Sequence, residues 1–163
     1  MTVPTGSTAV LDAVDAIGVD HLFDMHIEFE SVPSFATPRG TRMLFAARSG
    51  RFTGPGIAGT VLPGSADWLT VGDDLIGRID VRAVLRTADG EHIHMTNTGR
   101  VVLGEHAGRL FAGGRITAAE AYIRTHPLFD TSAPRYAHLN GITTVAFCDI
   151  SLTDIHYRVH AVR

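Results

Sequence analysis

From Arg78 to Thr87 the chain alternates without a break: Ile79, Val81, Ala83 and Leu85 fall on one face, and Arg78, Asp80, Arg82, Val84 and Arg86 on the other. A period of two held this long predicts a strand with one wet face. Ala88-Asp89-Gly90-Glu91 follows, with the Asp-Gly pair that a tight hairpin favours, and a return strand is expected from His92 to Leu103. The same period runs from Leu22, where Phe23, Met25, Ile27 and Phe29 alternate with Asp24, His26, Glu28 and Glu30.

Further short strands are expected at Met43 to Arg48, Arg51 to Thr53, Ile57 to Leu62, around Leu110, Ile142 to Phe147 and His156 to Val162, with loops at Pro33 to Pro38 and Phe129 to Pro134. Thr117 to Thr125 has helical spacing, with Thr117 as cap and Glu120 at capping-box distance. Many short, evenly spaced strands predict an all-β protein. A closed antiparallel β-barrel of roughly eight to ten strands, with one short helix and a central cavity, leaves no open edge. Residues 1–20, with Leu11, Val14 and Ile17 at helix-like spacing, are expected to form an N-terminal arm or short helix, and residues 21–163 the barrel domain.

The 163 residues suit one domain large enough to hold a core and a pocket. All 14 basic residues are arginines, scattered along a chain of net charge -3. Nucleic acid and anionic membrane are therefore poor partners, and the lack of lysine excludes a Schiff-base lysine and a lysine-bearing phosphate loop. Cys148 is the only cysteine, so neither an internal disulfide nor a thiolate zinc cluster can form. The first basic residue is Arg39 and no apolar run approaches membrane-spanning length, so a cytoplasmic location is expected.

Gly50, Gly54, Gly56, Gly59 and Gly64, with Pro55 and Pro63, punctuate the approach to Asp67 and Trp68. They read as corner chemistry, and no helix follows to complete a dinucleotide fingerprint. Gly50-Arg51-Phe52 with Gly54-Pro55, Pro63-Gly64 leading to Asp67-Trp68, Asp80-Val81-Arg82 before Asp89-Gly90, Gly99, Tyr122-Ile123-Arg124-Thr125 with Pro127 and Phe129, and Arg135-Tyr136 with Leu139-Asn140 recur in this order in one family. From about Leu22 onward the chain resembles the bacterial and fungal domain of unknown function 3237. The resemblance implies a single closed antiparallel barrel with a central cavity. Ser65 stands where the family commonly has glycine, and His94 and His160 where it commonly has aromatic residues.

Asp67 and Arg82 are the first candidates for chemistry, as proton acceptor and oxyanion clamp. An aspartate after a glycine turn can equally cap that turn, and a strand arginine can serve a structural ion pair. Trp68 is a candidate binding wall or plain core. Tyr122 and Arg124, on or beside the expected helix, and Asn140 in the following loop could bind an enolate, phenolate or carboxylate, or pin a lid. His94 is a candidate acid or base; His92 and His94 have the spacing of a cupin metal pair but lack the glutamate that completes it. His156 and His160 share a face in the same way. Cys148 reads as a buried small hydrophobe.

The function these residues suggest is a cofactor-independent isomerase, lyase or cyclase acting on a small aromatic or polyketide-like carbonyl compound, with no metal. A barrel that binds a small molecule without changing it and a structural subunit are the alternatives. Self-association is left open.

Overall fold

The structure is a computed structural model that describes residues 16–163. The arm expected at residues 1–20 lies mostly outside the described residues. Ten strands follow in antiparallel order: β1 (Val19–Phe29), β2 (Ser34–Thr37), β3 (Gly40–Gly54), β4 (Ile57–Val61), β5 (Ala66–Val71), β6 (Gly77–Thr87), β7 (His92–Val102), β8 (Tyr122–Asp130), β9 (Thr144–Ile150) and β10 (Asp154–Val162). β1 pairs with β10 on one side and with β3 on the other, so the sheet closes. Eight staves result, because β4 and β5 lie end to end between β3 and β6, and β2 only folds back on β3.

Alternation decides what fills the lumen. On β6, Ile79, Val81, Ala83 and Leu85 are buried and the residues between them are exposed, as the period requires. In the lower half Phe23 packs edge to face on Phe129 at 5.7 Å and at a tilt on Phe52 at 5.5 Å. A 3-10 helix, Pro134–Gly141, closes that end by burying Tyr136 and Leu139. The Tyr136 hydroxyl donates to Asp89 at 2.8 Å, which ties this plug to the β6–β7 hairpin.

Three expectations need correction. Thr117 to Thr125 is not a helix: Glu120 caps Thr117, accepting its backbone N–H at 2.9 Å, but only one turn forms before β8 begins at Tyr122. Ile123, Thr125, Pro127 and Phe129 then alternate inward, so closure of the sheet overrides helical propensity. The strand expected around Leu110 is instead the short helix α1 (Ala107–Phe111), preceded by a 3-10 turn at Gly104–His106. Met43 to Arg48 and Arg51 to Thr53 are one continuous strand, β3.

Candidate active site in the barrel lumen

The upper half of the lumen is hollow. A cavity of about 210 Å³ opens at the end where the β5–β6 turn, α1 and the β9–β10 turn meet. Its walls are apolar, with Ile27, Met43, Leu69, Ile79, Val101 and Ile123 among them. Leu75 and Phe111, both largely exposed, stand at its mouth. Leu75 holds the left-handed conformation (φ 58°) that bulky residues avoid, and this keeps its side chain at the rim of the turn.

Polar groups interrupt this wall in few places. Asp67 projects inward from β5, between Ser65 and Leu69, and its carboxyl lines the cavity. Burial pushes its pKa up from 3.8 to about 6; the neighbouring charge of Asp80 adds to the rise, and a hydrogen bond from the Asp80 backbone N–H, 3.0 Å from Oδ1, opposes it. A carboxyl so placed exchanges a proton near neutrality. Tyr157 enters from β10 and also lines the cavity. Burial drives its phenol well above the usual range, so it stays a neutral O–H donor.

Asn97, on β7 beside the Tyr157 phenol, is buried but does not line the cavity. Its side chain is 0% exposed. The amide approaches the Tyr157 phenol, yet neither its nitrogen nor its oxygen completes a hydrogen bond within the protein. A buried amide left open costs about 1–3 kcal/mol. Ser65 is committed elsewhere, since its Oγ accepts the Val84 N–H at 3.1 Å. Cys148, also facing inward, is held at a pKa of about 12 by burial and is no nucleophile at neutral pH.

Of the residues proposed from the sequence for catalysis or binding, Asp67 alone lines this cavity. Arg82 does not: it sits on the outer face of β6, its side chain 60% exposed and paired with Asp80 at 2.5 Å. The alternation that turns Val81 and Ala83 inward turns Arg82 outward. His94 is likewise external, 3.6 Å from Asp130, and His92 shares that outer face. Trp68 is exposed on the outside of β5 and forms no wall of the lumen.

Tyr122 and Arg124 lie on the outer face of β8 and belong to no lid. The Arg124 guanidinium packs over the Phe147 ring at 4.5 Å and the Tyr122 ring at 5.3 Å, and it donates to the Ala118 and Ile123 carbonyls. Asn140 bonds the backbone of Thr131 in both directions, at 2.8 and 2.9 Å, and so pins the plug at the closed end. His160 is outside the lumen, edge-on to Phe147 at 5.6 Å.

Tyr157 and Asn97 escaped sequence reasoning although a signal existed. Each is a polar residue on the inward face of an otherwise apolar alternation: Ile155, Tyr157, Val159 on β10, and Ile93, Met95, Asn97 on β7.

No helix among the described residues is long and apolar enough to cross a membrane. Comparison with known proteins gives relatives of the same shape. A UPF0311 protein of Clostridium acetobutylicum is 34% identical over 98 residues, which span 60% of this chain and 62% of that relative's length. A UPF0311 protein of Rhodopseudomonas palustris is 28% identical over 122 residues, 72% of this chain and 80% of the relative. Among solved structures, a conserved protein of unknown function from Rhodopseudomonas palustris superimposes with a TM-score of 0.86 at 24% identity, covering 91% of this chain and 99% of the other. An enzyme from Penicillium herquei superimposes with a TM-score of 0.68 at 20% identity, covering 90% of this chain and 95% of the other. At these identities the superpositions establish the barrel. The sequence profile of the protein of unknown function family DUF3237 matches residues 17–162, and the chain belongs to that family.

Proposed function

We propose that the chain is an enzyme that moves protons on a small, mostly apolar carbonyl or phenolic compound held in the upper lumen, in an isomerase, lyase or cyclase reaction. The observation that carries this reading is a carboxyl with a pKa of about 6 set in the wall of an apolar cavity. Such a group is poised to take a proton from a weak acid and to return it. The cavity is somewhat larger than the roughly 150 Å³ that accommodates a benzene ring, which suits an aromatic ring with short substituents. The enzyme from Penicillium herquei on the same fold is consistent with this reading.

In the proposed reaction ionised Asp67 removes a proton from the bound compound. The electron pair left behind delocalises onto the carbonyl or phenolic oxygen. The Tyr157 hydroxyl, which lines the cavity, donates a hydrogen bond to that oxygen, and the low polarity of the surrounding wall strengthens it. Protonated Asp67 then returns the proton to a different atom, so no electron leaves the pair of reactants. Arg82, His94 and Tyr122 take no part, because they stand on the outer face.

A thermal-shift screen of substituted phenols and enones, followed by product analysis on the compounds that stabilise the protein, tests the reading. Turnover is expected with at least one of them and is expected to vanish in Asp67→Asn. An Asp67→Asn protein that converts the same compound at an undiminished rate sinks the proposal. The apolar lining also favours a second reading, in which the barrel holds its ligand unchanged. Tight binding with no product from any stabilising compound would support it.

A further inference from the structure

We propose that His26, Asp154 and His156 form a divalent transition-metal site, of the kind that takes Zn²⁺, on the outer face of the barrel where β1 meets β10. The proposal is independent of the lumen chemistry. His26 and His156 are cross-strand partners in the β1–β10 ladder, and both face outward. Their rings stack at 4.1 Å with 24° between planes. Their Nε2 atoms converge on one oxygen, Oδ2 of Asp154, at 3.0 and 3.3 Å. The three ligand atoms all lie within 4.8 Å of one another.

Zinc holds imidazole nitrogen at about 2.0–2.1 Å and carboxylate oxygen at about 2.0–2.2 Å, which puts tetrahedral neighbours about 3.3 Å apart. The observed N···O separations already match. Without an ion, two imidazole N–H groups crowd one oxygen; an ion replaces both protons and relieves that crowding. Two imidazoles and a carboxylate make a donor set suited to zinc, with one position left for water.

The carboxylate is pre-oriented. Ser151 Oγ donates to Oδ1 of Asp154, and the Arg115 guanidinium spans both oxygens at 2.5 and 2.6 Å. Metal-bound carboxylates are commonly held by outer hydrogen bonds of this kind. To admit the ion Arg115 withdraws to Oδ1, where Ser151 already holds the group. Arg51 and Arg158 also border the adjoining cleft, with Asp24 and Asp149 among its acids. A bound ion would clasp the two strands that carry the described ends of the chain.

Titration with Co²⁺, which gives a visible ligand-field band when bound by nitrogen and oxygen in a low-coordinate site, tests the proposal. One equivalent is expected to produce the band, Zn²⁺ to bleach it, and Zn²⁺ to raise Tm. His26→Ala and His156→Ala are expected to lose both effects, whereas His138→Ala, at the closed end of the barrel, keeps them. His156 is half exposed, so its variant is expected to fold; His156→Gln, with circular dichroism as the check on folding, covers the case in which alanine perturbs the strand. The proposal is overturned if the native protein gives no band, or if the band and the Tm shift survive in folded His26 and His156 variants.

Discussion

Oδ1 of Asp67 accepts the backbone N–H of Asp80 at 3.0 Å, a side chain of one strand taking a donor from its neighbour's ladder. The β5–β6 pairing holds at Ala66–Arg82 and Asp67–Val81, lapses, and resumes at Thr70–Arg78. The carboxyl therefore occupies a gap in the sheet as well as a place in the cavity wall. It is both a ladder substitute and the group on which the proposed chemistry rests.

This double role has a consequence for stability. The folded pKa of about 6 lies above the ordinary 3.8, so the native state binds the proton more tightly than the unfolded chain does. Asp67 then lowers stability as pH rises from about 4 to about 6, by a total on the order of 3 kcal/mol, because each tenfold change in proton affinity is worth about 1.4 kcal/mol. Above that window the effect changes no further. Asp67→Asn keeps an oxygen for the Asp80 N–H and carries no charge. The variant is expected to be more stable than the native protein at pH 8 and nearly equal to it at pH 4. Parallel melting curves of the two proteins at both pH values read the difference directly, and curves offset by the same amount at both would refute it.

The same titration should appear in rate. If the ionised carboxyl is the base, kcat/KM rises as pH passes upward through about 6 and then levels off, since the Tyr157 phenol stays protonated well beyond that range. Tyr157→Phe is expected to lower kcat by roughly a hundredfold or more while leaving the fold intact, the usual effect of deleting one donor to a developing oxyanion. Steady-state kinetics from pH 5 to pH 9 (a span of roughly two units either side of neutrality) would show it. A flat profile through pH 6 removes Asp67 from the role.

Much of the barrel was legible because its strands obey a simple period. β6 and β7 are read almost residue for residue, and the Asp89-Gly90 hairpin turn falls where the residue chemistry puts it, with Gly90 at φ 92°. One failure has a clear physical cause. Thr117 to Thr125 has the local signature of a helix, and the capping contacts do form, but the neighbouring strands offer a hydrogen-bonding edge that one helical turn cannot outbid. At the site, most of the residues singled out are polar or charged. Charge on a regular strand marks the wet face, so Arg82, His94 and Arg124 were bound to point outward. The informative signal was the reverse: polar Tyr157 on the dry face.

The glycines divide by mechanism, and two substitutions of opposite sign, one before β5 and one in α1, expose the difference. A Cβ on Gly59 would lie 2.1 Å from the Arg86 carbonyl oxygen and 2.8 Å from the Phe52 ring, so Gly59→Ala must part β4 from β6. It is expected to cost about 1–3 kcal/mol or more. Gly108, inside α1 at the cavity mouth, has open space around it, and alanine there is expected to stabilise by about 0.5–1 kcal/mol through helix propensity. Urea unfolding of both variants decides the matter; equal effects would mean that the close approach at Gly59 is not what holds the staves together.

Asn97 offers the sharpest separation of stability from function. Its amide is fully buried with nitrogen and oxygen both open, so the fold bears a cost there. Asn97→Leu, similar in size and free of polar atoms, is expected to stabilise the unliganded protein by about 1–2 kcal/mol. It should keep most of the thermal shift given by whichever phenol or enone stabilises the native chain, because the amide does not line the cavity. Chemical denaturation measures the first effect and ligand-dependent melting the second. A destabilised variant would refute the cost assigned to the open amide; a stabilised variant that no longer responds to the ligand would place the amide in the site.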